Sequence, residues 1–200
     1  MTSPADRIVD LYARHGVTWA AARGTILHER QWIDRFAALL APGADVLDIG
    51  CGSGEPIARH LAGLGHAITG IDSSPALVAL FNANLPGHAA TVADMRTLDL
   101  GRTFGGLVAW DSFFHLAHAD QRAMFPVFAA HAAAGAPLIV TTGPAHGEAI
   151  GTLEGEPLYH ASLAPDEYRG LFAAAGFDVV AFVPQDATCG GHTVWLARRR

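Results

Sequence analysis

Three glycines at alternate positions, Gly50, Gly52 and Gly54, lie between two carboxylates, Asp48 and Glu55, in the stretch VLDIGCGSGEP from Val46 to Pro56. Val46, Leu47 and Ile49 form a short apolar run like a buried strand, the glycines break it, and Pro56 opens a helical pattern. Such a corner lets a small molecule approach the backbone, because glycine carries no Cβ and the first turn of the helix offers unpaired N–H groups. The spacing is G-x-G-x-G, whereas the dinucleotide fingerprint is G-x-G-x-x-G with a pyrophosphate on the helix N-terminus. Asp48 and Glu55 would repel that pyrophosphate. A phosphate-free ligand with cationic groups suits the same carboxylates, and S-adenosylmethionine (SAM), with its sulfonium and ammonium, answers that description. A second apolar strand, Ala67 to Ile71, ends in Asp72, about twenty residues past the glycines, where a carboxylate can hold a ribose diol. The other reading of Asp72 is a helix N-cap, although Ser73 or Ser74, ahead of Pro75, can fill that place.

These residues resemble the class I SAM-dependent methyltransferases, and DIGCGSGEP is similar to that family's glycine-rich motif almost letter for letter. The resemblance runs from about Ala44 to the C-terminus. It implies an α/β fold: a Rossmann-like, doubly wound seven-stranded sheet, mostly parallel with an antiparallel closing strand and helices on both faces. It also implies SAM as cofactor, a methyl acceptor as second substrate, and further site positions. Asp94 and Met95, ending a third strand pattern from Ala89 to Ala93, match the place where the family holds adenine. Trp110 and Asp111, at the end of a fourth strand pattern from Phe104, lie beside the cofactor's methionine portion. With Asp48, Gly50, Cys51, Gly52, Gly54, Asp72 and Ser73 they make up the expected cofactor site, and Arg23 is a candidate partner for the methionine carboxylate. Two other functions stay open: a non-catalytic SAM-binding regulatory module, and a nicotinamide-dependent oxidoreductase, which the glycine spacing and Glu55 disfavour.

Transfer from a sulfonium needs alignment of the acceptor, exclusion of water and, for some acceptors, removal of a proton. Imidazole suits that last task near neutral pH. Eleven histidines are present, and His115, His118, His146, His160 and His192 fall where loops should converge. His115, His146 and His160 are the candidate general bases. No H-x-x-x-H, H-E-x-x-H or cysteine pair supplies compact metal ligands, so no metal is expected.

The rest of the chain must position these groups. Its 200 residues suit a single domain, with residues 1–43 as a helical lid and 44–200 as the core. Two N-terminal helical patterns, Ala5 to His15 and Thr25 to Leu40, precede an alternation of strands and helices that implies a parallel sheet. Helices are expected at Pro56–Leu64, Pro75–Ala83, Ala119–Ala133 and Pro165–Ala175, and later strands at Pro137–Thr142, Phe177–Val183 and Thr193–Ala197. The segment Gly143–Ala161 reads as a long irregular loop, rich in Gly and Pro, that helps wall the acceptor pocket. A net charge of −6, with all thirteen basic residues Arg and the only run at Arg198–Arg200, argues against nucleic acid as substrate. The start has no signal-peptide core and there is no long uncharged stretch, so a cytoplasmic protein free of membranes is expected, monomeric or homodimeric, acting on a small-molecule acceptor.

Overall fold

The computed structural model describes residues 4–200. In chain order its strands are β1 (Asp45–Ile49), β2 (Ala67–Asp72), β3 (Ala89–Val92), β4 (Gly106–Ala109), β5 (Pro137–Thr142), β6 (Gly147–Leu153), β7 (Glu156–Ser162), β8 (Phe177–Asp186) and β9 (His192–Arg199). Seven of them form one sheet in the order β3-β2-β1-β4-β5-β9-β8. Pairing is parallel from β3 through β5, and β9 runs antiparallel to both β5 and β8, inserted between them. β4 and β5 are buried along their whole length, apolar apart from Thr141 and Thr142 at the end of β5, as expected of strands covered on both faces. Edge strand β3 is exposed at three of its four residues.

Helices α1 (Ile8–Arg23), α2 (Arg30–Ala37), α3 (Ile57–Gly63), α4 (Pro75–Asn84), α5 (His118–His131) and α6 (Pro165–Ala174) surround the sheet. Two cores result. Phe125, Phe128, Tyr168 and Phe172 of α5 and α6 pack on one face with Phe113 and Trp195. Trp32, Ile33 and Phe36 of α2, with Leu61 of α3 and Phe81 of α4, fill the other. None of the described helices is long and apolar enough to cross a membrane.

Three expectations about elements are corrected. The first helix does not stop at His15: α1 runs through Gly16, where a Cβ would come within 2.9 Å of Leu77 Cγ. Gly16 is therefore a close-packing residue against α4, and the stop is Gly24, with φ +65° and its N–H bonded to Ala20 O at 3.1 Å. The second helix is shorter than Thr25–Leu40, because residues 25–29 turn on bonds such as Arg30 N–H to Leu27 O. The segment Gly143–Ala161 is not an irregular loop. Most of it forms the antiparallel hairpin β6–β7, closed by Glu154 and Gly155 with φ of +50° and +81°. A two-residue turn with both φ positive matches the right-handed twist of the strands.

Candidate active site

β1 delivers Asp48 and Gly50 to the edge of the sheet where strand order reverses between β1 and β4, the crevice in which open α/β sheets bind ligands. Gly50, Gly52 and Gly54 all lie in the left-handed region, with φ between +54° and +79°. Gly50 admits no side chain: a Cβ there would sit 2.3 Å from Ser112 Cβ, and Ser112 is fixed by donating its hydroxyl to Ile49 O at 2.6 Å. The N–H groups of Gly50 and Cys51 donate to Ile71 O at 2.8 and 3.0 Å. Gly52 N–H donates to Asp72 Oδ2 at 3.0 Å, and Ser74 N–H donates to Asp72 Oδ1 at 2.8 Å. Asp72 thus joins the two loops that follow β1 and β2. Ser74, whose hydroxyl accepts from Leu77 N–H, is the side-chain cap of α4, so that helix start does not depend on Asp72.

The glycine corner divides two connected chambers. The larger, about 740 Å³, runs over Asp72, Ser73, Asp94 and Met95 and is roofed by Ile8, Val9, Tyr12 and Trp19 of α1. The smaller holds Arg23, Asp48, Cys51, Gly54 and Trp110. Trp19, Gly50, Gly52 and Asp111 line both. Burial, with repulsion from Asp72, pushes the Asp48 carboxyl up to about 7, and burial also raises Asp72. Asp48 lines the smaller chamber, so a cation there would meet a nearly buried acid.

The remaining expected cofactor residues differ in how free they are. Asp94 caps the single turn Met95–Thr97 and is gripped by its neighbour Arg96, with Nη2 at 2.6 Å, which holds its carboxyl below the usual range. It lines the chamber but already has a cation. Arg23 donates to Glu29 at 2.5 Å and to Ile26 O at 3.1 Å. Cys51 is buried against Gly70, and burial pushes its thiol up.

Of the three candidate bases, the structure brings two together. The rings of His115 and His160 lie with centroids 4.8 Å apart, tilted by 38°. His115 is fully committed: its Nδ1–H donates to Tyr159 O at 2.8 Å, and its Nε2 accepts from the Tyr12 hydroxyl at 3.1 Å. Burial holds it neutral, down at about 4. It clamps α1 to β7. His160 is also held below its ordinary value by burial, and it lines a separate, open groove of about 930 Å³ between the hairpin and the Gly190–His192 turn. His146 is exposed, stacked on His118 at 4.6 Å, and lines none of these spaces.

One pair goes beyond the expected set. His192 donates from Nε2 to Asp111 Oδ1 at 2.8 Å and from Nδ1 to Cys189 O at 2.6 Å, and Asp111 pushes it up to about 8. Asp111 is bent to φ +52° and donates its N–H to Thr141 Oγ1 at 2.9 Å. His192 borders the groove and Asp111 borders both chambers, so the pair is the partition between them. No local pattern in the sequence could have matched two residues on β9 and after β4.

Fold and glycine corner together define a Rossmann-like domain with an open crevice at the switch point of its sheet. The family described as "Methyltransferase domain" matches residues 23–181, and the chain belongs to it. A Streptomyces fradiae dTDP-3-amino-3,6-dideoxy-alpha-D-glucopyranose N,N-dimethyltransferase is 34% identical over 90 residues, covering 44% of this chain and 35% of that protein. The matched stretch is thus about a third of that relative's length. The fold is similar to that of the SAM-bound amino pentose methyltransferase CalS10 from Micromonospora echinaspora, with TM-score 0.71 and 24% identity over 92% of this chain and 97% of that one. It is also similar to magnesium protoporphyrin IX methyltransferase from Synechocystis PCC 6803 with bound SAM, with TM-score 0.77 and 17% identity over 100% and 99% of the two chains.

Proposed function

We propose that this chain transfers a methyl group from SAM to a small-molecule acceptor. Asp111 carries the reading: it borders both chambers astride the glycine corner and, through His192, abuts a second groove open to solvent. A binding module without an acceptor has no use for that groove. The amine-bearing acceptors in the names of several relatives, an amino sugar, an amino pentose and a glycopeptide N-methyltransferase's substrate, support a small molecule as acceptor.

The residues fit the cofactor. Asp72 accepts backbone N–H groups of Gly52 and Ser74, is also approached by that of Ser73, and borders the larger chamber with acceptor capacity left for a ribose hydroxyl. Met95 and Asp94 border the adenine end, and Asp48 and Arg23 face the ammonium and carboxylate end. Once bound, SAM supplies a methyl already activated as an electrophile. The work left to the chain is orientation and dryness: Tyr12 and Trp19 roof the larger chamber, and Ser112 pins the glycine corner beneath it.

Calorimetry of the purified chain with SAM tests the reading, with binding expected in the micromolar range and lost in Gly52→Arg and Asp72→Ala. Both variants binding normally would remove the site assignment. Incubating a metabolite extract with isotopically labelled SAM and identifying the labelled product by mass spectrometry then names the acceptor.

A further inference from the structure

Among the described residues, four line both chambers: Trp19, Gly50, Gly52 and Asp111. Asp111 alone of these carries an ionisable side chain. The other acids are divided between the two spaces, with Asp72, Asp94 and Asp120 in the larger and Asp48 and Glu55 in the smaller. Two other strands fix Asp111 at this junction. Its left-handed φ of +52° is one that a residue with a side chain keeps only where its surroundings impose it, and Thr141 Oγ1 on β5 accepts its N–H at 2.9 Å. His192, at the start of β9, donates from Nε2 to Oδ1 at 2.8 Å and is itself held by Cys189 O at 2.6 Å.

SAM is a nucleoside and an amino acid joined through one sulfur. With the nucleoside over Asp72 and the amino acid beside Asp48, that sulfur has to pass the junction, and Asp111 is the charged group there. Before transfer the sulfur is a sulfonium. Afterwards it is a neutral thioether, and S-adenosylhomocysteine (SAH) keeps every other group of the donor unchanged. Resting on the methyl-transfer reading, we propose that Asp111 is the residue by which this site tells the charged donor from its spent product, and that His192 positions it. The Asp111 carboxylate attracts the sulfonium and has no such hold on the thioether. It favours loading of the donor and discharge of the product, not the transfer step, since it stabilises a charge that the reaction removes. The imidazolium of His192 offsets part of the carboxylate's charge and fixes its direction. A pair that merely pinned β9 to the loop after β4 would affect donor and product alike. The titratable groups facing His192 besides Asp111 are Glu29 and Cys189, with Asp186 opposite it in the β8–β9 pairing, and Asp111 is itself faced by Tyr12, His115 and His160. Asp48 meets an ammonium common to both ligands, so it cancels from the ratio of their affinities.

Calorimetry of the whole chain with SAM and, separately, with SAH tests the proposal. Asp111→Asn should weaken SAM by about tenfold and leave SAH within about twofold of wild type. SAM and SAH weakened alike in a folded variant, or SAM unmoved, would overturn the proposal and leave the methyl-transfer reading intact. Failure of SAM to bind the wild-type chain would remove both. His192→Gln, which keeps an N–H for Asp111, should hold the SAM-to-SAH ratio near that of wild type, whereas His192→Leu should lower it about fivefold. Equal ratios in these two variants would end the positioning role. A second measurement needs no substitution at Asp111 and decides the matter where Asp111→Asn does not fold. The His192 ring titration, followed by NMR in the wild-type chain and assigned by its absence in His192→Gln, should move down when SAM binds, because the sulfonium brings a positive charge to its partner. It should stay in place when SAH binds. Equal movement with both ligands, or none with either, would overturn the proposal.

Discussion

Around the glycine corner, polar groups meet across short stretches of chain: Gly52 finds Asp72 twenty residues on, and Asp72 finds Ser74 two residues on. Around the roof and far wall of the chambers the spans are far longer, since Asp111 meets His192 across 81 residues and Tyr12 meets His115 across 103. The cofactor side relies on backbone N–H groups and on glycines whose conformation few other residues adopt. Side chains brought together by the finished fold make the roof and far wall. The first kind of site tolerates little substitution, and the second can be rebuilt for a new acceptor without touching the first.

The largest blow to that contrast should come from Gly50→Val. Its Cβ would collide with Ser112 at 2.3 Å in a left-handed conformation, so we expect a loss of at least about 3 kcal/mol in chemical denaturation, together with loss of SAM binding. Survival of both would show the corner to be as adaptable as the roof and far wall.

Asp48 gives a smaller, pH-dependent effect. Its folded value of about 7 lies above the ordinary 3.8, so its contribution to the stability of the unliganded chain is present below that ordinary value and lost as pH rises through 7. The ionised form is the one that pairs with an ammonium. SAM affinity should therefore increase between pH 6 and 8 by up to about tenfold, with Asp48→Asn flattening the profile in calorimetry. An unchanged wild-type affinity over that range would place the ammonium elsewhere.

Tyr12→Phe should be the mildest, costing about 1 kcal/mol in denaturant titration by leaving His115 Nε2 without its donor, with SAM affinity within about threefold of wild type. A larger fall in affinity would show that the Tyr12 hydroxyl itself, and not only the α1 roof, serves the cofactor.

The same division governs how much could be read from the chain. Asp48, the three glycines and Asp72 were legible because each marks a local backbone event. Ser74 and Pro75 likewise announced α4. Gly16 misled, since a glycine at a helix end and one that lets two helices touch look alike until the partner, Leu77, is known. In Gly143–Ala161 composition outweighed pattern, although Glu154–Gly155 between β-forming residues such as Ile150, Thr152 and Tyr159 is a hairpin signal. The Arg96 grip on Asp94, only two residues apart, was within reach of the sequence. The Asp111–His192 pair was not.

Two separate joins connect α1 to the hairpin. Glu156 on β7 takes Arg14 Nη2 at 2.9 Å and His15 Nε2 at 2.7 Å, while His115 links Tyr12 to the Tyr159 carbonyl. Roof and flank are consequently tied to each other at two points. An opening of the larger chamber by movement of α1 would therefore have to break one of these joins or carry the hairpin with it.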